Sequence, residues 1–271
     1  MLNKKSIVSN LCVIIIVTLN FSIAKDHLGK ELYRKYCLSC HGIDGKGDGK
    51  LSYLLYPKPR DFTRNLFKIK STQPGYPPTD DDLITTIKKG MPGTSMPSFN
   101  FLDSNELKDI VNYIKDLGNI NNKNSVLVQV PDEISQTDEL LKLGKTIYTE
   151  IGCNKCHGES GKGDGLSSNN LVDSWGYSII PRDFTSGLYL GGGQLQDLYL
   201  RFASGMDGTP MPSYGNISEM LGKPKEDENE LAWSLVHYVK SLETELSTEE
   251  INVPEDGKII ALSVNSSAID Q

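Results

Sequence analysis

The sequence predicts an all-α protein in which one small helical domain occurs twice. Two observations support this fold class: a set of landmarks that repeats in the same order, and apolar residues that recur at the spacing of a helix turn. No comparable run alternates with the period of a β-strand, so we expect few strands. The length of 271 residues suits two modest domains better than one.

The first 24 residues predict an export signal. Lys4 and Lys5 precede an apolar run, and the small residues that end at Ala24 resemble a cleavage site. An uncleaved membrane anchor is the alternative, because the run is close to the shortest length that spans a bilayer. No later segment is as apolar, so we expect a periplasmic protein with no membrane span after cleavage.

The charge of the chain narrows its possible partners. Cleavage would leave 26 basic and 35 acidic residues, a net charge of −9. Such an acidic chain is not expected to bind nucleic acid or an anionic membrane surface.

The repeat divides the exported chain. The first copy contains CLSCHGIDGKGDG at 37–49, and the second contains CNKCHGESGKGDG at 153–165. The later matching stretches are 58–63 with 180–185, 83–99 with 198–214, and 110–117 with 235–242. We therefore predict domain 1 at residues 25–118, a linker at 119–137, domain 2 at 138–243, and an acidic and polar tail at 244–271.

Helices are predicted at matching places in the two copies. Leu28, Leu32 and Tyr36 recur at helical spacing before the first pentad, and 143–151 repeats the pattern. Residues 80–89 begin with three aspartates and end with two lysines, which complements a helix dipole. A further apolar face spans 107–117, after a capping pair and before a glycine. In the linker, 126–130 can run extended, and in the tail 258–264 can form one strand.

Each copy contains C-x-x-C-H, the attachment sequence of c-type haem. On one helical turn the two cysteines project to the same side and can form thioethers, and the next histidine can reach the iron. The predicted attachment and proximal residues are Cys37, Cys40 and His41 in the first copy and Cys153, Cys156 and His157 in the second.

Two other uses of the cysteines are a zinc site and a redox-active pair. Two C-x-x-C pairs can form one zinc site, but such pairs usually lie closer in sequence, and zinc would leave both histidines unexplained. A redox-active C-x-x-C needs neither the histidine nor a second copy. The fifth cysteine, Cys12, lies in the predicted signal.

The glycines of GKGDG predict a structural role. Their spacing matches neither a dinucleotide loop nor a P-loop, and the calcium-ligand positions of an EF-hand are not acidic. We expect them to end the pentad helix, to adopt positive φ and to let the backbone pass close to the porphyrin. Asp48 and Asp164 are then turn residues or solvated charges.

Each copy resembles a class I cytochrome c domain, with a helix before C-x-x-C-H, a Met-Pro loop and a last helix. The resemblance covers the exported chain to about Leu242. It implies an all-α fold of two tandem cytochrome c-like domains, each wrapped around a covalently bound haem. It also implies that the first and last helices of each domain cross near a glycine and an aromatic residue. The matching residues are Gly29, Tyr33 and Tyr113, and Gly144, Tyr148 and Tyr238.

The resemblance also implies the remaining iron ligands. The Met-Pro-x-aromatic sequence selects Met96 and Met211, although Met91 and Met206 lie five residues earlier in the same loops. Other residues of the two copies are expected to act around the haem or at the surface. These are Pro59 and Pro181 near the carbonyl that binds the proximal histidine, Arg60 and Arg182 as partners of haem propionates or of Asp61 and Asp183, and His27 and His237 as solvated histidines.

Two six-coordinate c-type haems predict an electron-transfer protein without catalysis of its own. We expect redox protein partners, with a basic docking patch that the acidic surface would favour. The alternative is a dihaem cytochrome c peroxidase with one open haem. A third hypothesis, suggested by a vague resemblance of 252–264 to the start of a β-rich domain, is a subunit of a periplasmic molybdenum-enzyme complex.

Overall fold

A computed structural model describes residues 28–244. The predicted signal, His27 and the tail from residue 245 lie outside these residues, as does the predicted strand at 258–264. The described part contains helices and no strand, which confirms the all-α class. The helices are α1 (28–36), α2 (Leu38–His41), α3 (Asp80–Lys89), α4 (Ser104–Gly118), α5 (Asp138–Glu150), α6 (Asn154–His157), α7 (Leu195–Ser204), α8 (Ile217–Met220) and α9 (Glu228–Ser241).

The helix ends follow the capping signals of the sequence. Thr79 and Asp82 form a capping box at the start of α3, and Gly90 ends this helix at φ 69°. Asp103 and Glu106 form the corresponding box at the start of α4. These side chains satisfy backbone N–H groups that the first turn leaves without partners, so both helices begin at defined residues.

In each copy the first and last helices cross at a glycine. A Cβ on Gly29 would collide with the carbonyl of Asp109, and one on Gly144 would collide with the carbonyl of Ser234. Beside each crossing, two tyrosine rings meet edge to face, with centroids 5.2 Å apart for Tyr33 and Tyr113 and 5.3 Å apart for the equivalent pair. The crossings that the resemblance implied are present in both copies.

Each copy has a hydrophobic core of its own. The core of the first module, residues 28–118, includes α1, α3 and α4, and that of the second module, residues 138–243, includes α5, α7 and α9. Among residues 28–244, no helix is long and apolar enough to cross a membrane.

The linker is fastened to both modules. Gln73 N donates to the carbonyl of Val126, and Val128 N donates to the carbonyl of Ser71, which adds a short antiparallel pairing to the first module. Further along, Val128, Val130 and Ile134 pack against the core of the second module. The linker is thus held along most of its length by backbone and apolar contacts.

His237 is buried, contrary to the prediction of a solvated side chain. Only 2% of its surface is exposed, and its Nε2 donates to the carbonyl of Ile134 at 2.6 Å. This contact joins α9 to the linker. The first module has Asn112 at the equivalent position, so this contact with the linker belongs to the second module alone.

Candidate cofactor sites

The two C-x-x-C-H pentads form the same structure. In each pentad the first cysteine precedes a single helical turn, and the histidine is the last residue of that turn. The turn ends at Gly42, with φ 78°, and at Gly158, with φ 79°. The second cysteine and the histidine are therefore held by helical backbone, and the chain leaves the turn in a conformation that glycine adopts readily.

Each pentad histidine is oriented by a backbone carbonyl. His41 Nδ1 donates to the carbonyl of Arg60 at 3.1 Å, and His157 Nδ1 donates to the carbonyl of Arg182 at the same distance. Because a carbonyl only accepts, the proton of the neutral ring lies on Nδ1 and leaves Nε2 free to bind a metal. The acceptor is one residue beyond the proline that the sequence suggested.

Burial keeps these imidazoles neutral. Desolvation lowers the pKa of His41 and of His157, while the hydrogen bonds to the two carbonyls oppose this effect. A neutral imidazole is the form that coordinates iron, so the environment favours a ligand over a cation.

An aromatic ring stacks on each histidine. The ring centroids are 4.7 Å apart for His41 and Phe62 and 4.3 Å apart for His157 and Phe184. Both phenylalanines belong to the repeated PRDFT sequence, which also supplies the carbonyl acceptor. Sequence reasoning missed this role, although the retention of PRDFT in both copies was the signal that could have revealed it.

The methionine loops have matching hydrogen bonds. Met91 N donates to the carbonyl of Met96 at 3.1 Å, and Met206 N donates to the carbonyl of Met211 at 3.2 Å. Met96 packs against the core of the first module and Met211 against that of the second. Met91 and Met206 do not pack against these cores, although Met206 lines a cavity in the second module.

A cavity of about 490 Å³ lies in the second module. Its lining includes both pentad cysteines, His157, Met211 and Phe202. The volume falls within the range of about 300–1,000 Å³ that is usual for ligand and cofactor sites. Thiols, imidazole and thioether thus meet at one largely apolar cavity, and this donor set fits a covalently attached haem.

The competing uses of the cysteines are disfavoured by the structure. Within residues 28–244, no group of three or more potential ligands is placed to hold a metal ion by itself. Burial raises the pKa of Cys37 and of Cys153 to about 12. A redox-active cysteine needs a lowered pKa, so neither a zinc site nor a disulfide exchanger fits the two pairs.

In each copy the first three glycines after the pentad adopt positive φ as predicted, whereas the last, Gly49 or Gly165, does not. Gly47 has φ 74°, and a Cβ there would lie 2.5 Å from the carbonyl oxygen of Pro59. A Cβ on Gly163 would lie 2.6 Å from that of Pro181. The glycine run therefore brings PRDFT close to the pentad helix, which is what places the carbonyl acceptor against the histidine.

A family model described as cytochrome c matches residues 27–118 and again residues 141–243. The chain belongs to the cytochrome c family. Members of this family carry covalently bound c-type haem, the cofactor that the pentads and the cavity fit. No curated protein is significantly similar to the chain.

A solved structure shares the architecture of this cytochrome c. It is a chain of the Kuenenia stuttgartiensis reducing HAO-like protein complex, with 38% sequence identity and a TM-score of 0.72. The similarity covers 80% of this chain and 96% of that chain. The neighbour is thus similar over nearly its whole length, and it is part of a protein complex.

Proposed function

We propose that this chain is an exported dihaem cytochrome c that carries single electrons between redox proteins in the periplasm. The observation that supports this most strongly is the meeting of His157, Met211 and the second pentad at one cavity. The first module has the same pentad, histidine contact and methionine loop. A haem whose iron is bound by histidine and methionine exchanges single electrons and has no vacant position for a substrate.

The proposed roles follow from the local contacts. The four pentad cysteines attach the two cofactors, and the carbonyls after Pro59 and Pro181 hold the histidine rings in one tautomer. Met96 and Met211 would supply the thioether ligands of the two irons, because these methionines pack towards the cores. The phenylalanines of PRDFT shield the histidine rings from water and limit their rotation.

The structural neighbour suggests the kind of partner. Since it belongs to a complex with an HAO-like protein, we propose that this chain exchanges electrons with an enzyme of similar kind, as a bound subunit or as a mobile carrier. The negative charge of the chain favours a basic docking surface on that enzyme. The molybdenum-enzyme hypothesis depends on tail residues outside the described part of the chain.

Single replacement of the four loop methionines tests the proposed ligands. M96A and M211A are each expected to convert one haem from low spin to high spin and to leave the other unchanged. M91A and M206A are matched controls, because they remove the other methionine of the same loop. Absorption and electron paramagnetic resonance spectra of the oxidised proteins are the measurement.

The same spectra separate the carrier from a peroxidase. A carrier has two low-spin haems in the unaltered protein, whereas a peroxidase has one high-spin haem and consumes hydrogen peroxide with a reduced electron donor. A high-spin haem with peroxide turnover would overturn the proposed function. Loss of the low-spin signal in M91A or M206A would overturn the ligand assignment alone.

A further inference from the structure

Three basic side chains converge where the two modules meet. Arg60 and Lys68 come from the first module, and Arg182 comes from the second. Lys68 and Arg182 both line the cavity that contains the second pentad. The cavity of the second module therefore has a lysine of the first module in its wall.

These cations are half-buried. Burial lowers the pKa of Lys68, and the nearby positive charges of Arg60 and Arg182 outweigh the opposite effect of Asp173, so that this pKa falls to about 8. Burial also lowers the pKa of Arg60, to about 10, and that of Arg182. The two arginines thus make the positive charge of Lys68 harder to keep.

No carboxylate of the described chain forms an ion pair with the three groups, although Asp173 and Asp61 raise the pKa of Arg60 and Asp183 raises that of Arg182 from a greater distance. Within residues 28–244, none of the three side chains donates a hydrogen bond or forms an ion pair. Asp61 accepts instead from Thr63 and from the indole of Trp175, and Asp173 accepts from two backbone N–H groups. Half-buried cations without an ion-pair partner are costly, so an anion is expected at this place.

Lys70, unlike Lys68, has a carboxylate and two carbonyls as hydrogen-bond partners. Only two residues away and fully buried, Lys70 donates to Asp207 at 2.5 Å and to the carbonyls of Gln73 and Tyr76. The chain therefore pairs the fully buried Lys70 completely and leaves the half-buried Lys68 facing the cavity.

The two arginines reach across the junction in opposite directions. A Cβ on Gly93, in the first methionine loop, would lie 2.8 Å from a terminal nitrogen of Arg182. A Cβ on Gly208, in the second loop, would lie 2.9 Å from a terminal nitrogen of Arg60, which also stacks on Trp175 at 4.3 Å. Each module thus places its arginine beside the methionine loop of the other.

We propose that Lys68 of the first module belongs to the haem site of the second module, where it and Arg182 bind the carboxylates of the haem attached at Cys153 and Cys156. This inference rests on the proposed function, since it requires a second haem. Carboxylates are the anions that the cofactor brings, and charge-assisted hydrogen bonds to them would satisfy both cations. The second module has a leucine, Leu190, at the position aligned with Lys68, five residues after its own PRDFT sequence.

The assignment has an electrostatic consequence. A positive charge beside a haem stabilises the reduced form, which carries one positive charge fewer, and so raises the midpoint potential. Removing the charge of Lys68 should therefore lower the potential of the second haem more than that of the first.

The direct test is a crystal structure of the haem-loaded full chain. We expect Lys68 Nζ within about 3.2 Å of a carboxylate oxygen of the second haem, the distance of an N–H···O hydrogen bond. The inference would be overturned if residues of the second module alone held the carboxylates of the second haem and Lys68 contacted them neither directly nor through one water.

Redox titration of K68L is the second test, with K50L as its control. Both variants replace a lysine by the leucine that the second module has at the aligned position, Leu190 or Leu166, and Lys50 is exposed. K68L should lower the potential of the second haem, K68R should restore it, and K50L should change neither. Equal effects of K68L and K50L, or a larger effect on the first haem, would contradict the proposal.

Counting the attached haems distinguishes a failure of the proposed function from a failure of the inference about Lys68. Mass spectrometry of each variant gives the number of attached haems, and circular dichroism shows whether the variant has folded. One haem in place of two, or a high-spin haem with peroxide turnover, would mean that the proposed function has failed. Two low-spin haems with no specific effect of K68L would mean that only the inference about Lys68 has failed.

Discussion

The residues of PRDFT show how much one short stretch can contribute to a cofactor site. In the first module, the Arg60 carbonyl orients the histidine, Asp61 accepts from the backbone N–H of Thr63, and Phe62 stacks on the imidazole. The second module repeats all three contacts with the equivalent residues. The identity of PRDFT in the two copies therefore reflects a site that each copy builds in the same way.

Gly47 brings this stretch against the pentad, and its replacement tests that role. G47A should lower the free energy of unfolding for two reasons. Alanine at positive φ costs about 1–2 kcal/mol, and a Cβ against the carbonyl of Pro59 should cost a further ~1–3 kcal/mol as overpacking. Denaturant unfolding of the haem-loaded protein gives the change.

Gly75→Ala is the matched control for the backbone effect. Gly75 has φ 80°, and a Cβ there would have nothing within 4 Å. G75A should therefore lower the free energy of unfolding only by the cost of positive φ. That cost is partly offset because alanine restricts the unfolded chain. Equal losses in the two variants would mean that the close approach to Pro59 contributes nothing to stability.

The sequence predicted side chains better than backbone groups at this scale. The pentads and the methionine loops were found because their residue types carry the chemistry directly. The carbonyls of Arg60 and Arg182 could not be found in this way, because any residue has a carbonyl and only the fold determines which one meets the ring. His237 was missed for a similar reason, since its partner is a linker carbonyl that the repeat does not contain.

At the scale of helices, the crossing of α5 and α9 places the second pentad. Tyr148 of α5 meets Tyr238 of α9 edge to face, and its hydroxyl donates a hydrogen bond to the carbonyl of Gly158 at 2.7 Å. The glycine that ends the pentad helix is thereby tied to the helix crossing. Gly144 allows this approach, because its Cα lies against the backbone of α9.

Replacing Gly144 by alanine tests whether helix propensity or packing at the crossing has the larger effect on stability. In an isolated helix, alanine is more favourable than glycine by about 1 kcal/mol. At this crossing a Cβ would collide with the carbonyl of Ser234, so we expect G144A to be less stable, by about 1–3 kcal/mol. K145A, at the exposed neighbour, should stay within ~0.5 kcal/mol of the unaltered protein.

Thermal and denaturant unfolding of these two variants are the measurements. A gain in stability for G144A would mean that helix propensity exceeds the packing cost and that the helices do not approach closely here. The crossing could be predicted from the family resemblance, but the tie between Tyr148 and Gly158 could not, because it joins a helix side chain to a loop carbonyl.

At the scale of the whole molecule, the two modules differ most where they touch. Trp175 lies in a stretch of the second module that is longer than its counterpart, and its indole donates to Asp61 of the first module at 3.1 Å. Asp207, which pairs with Lys70, stands where the first methionine loop has Pro92. The repeat predicted two similar modules, but the docking depends on residues that the copies do not share.

The buried pair of Lys70 and Asp207 gives the last prediction. Lys70 is fully buried and Asp207 is 17% exposed, so D207N would leave a buried cation with two carbonyl partners and no counter-charge. Breaking such a pair costs about 3–5 kcal/mol, and the remaining carbonyls favour the lower end. Because the contact joins the modules, guanidinium unfolding should also become less cooperative and show a smaller m-value.

D80N is the comparison that isolates burial and docking from the loss of a carboxylate. Asp80 pairs with Lys115 at 2.6 Å inside the first module, and its side chain is 49% exposed. Water replaces most of what such a pair provides, so D80N should cost about 1 kcal/mol or less and leave the m-value unchanged. If D207N cost no more than D80N, Lys70 would be hydrated in solution. The modules would then separate there, and the shared haem site inferred for Lys68 would lose its structural basis.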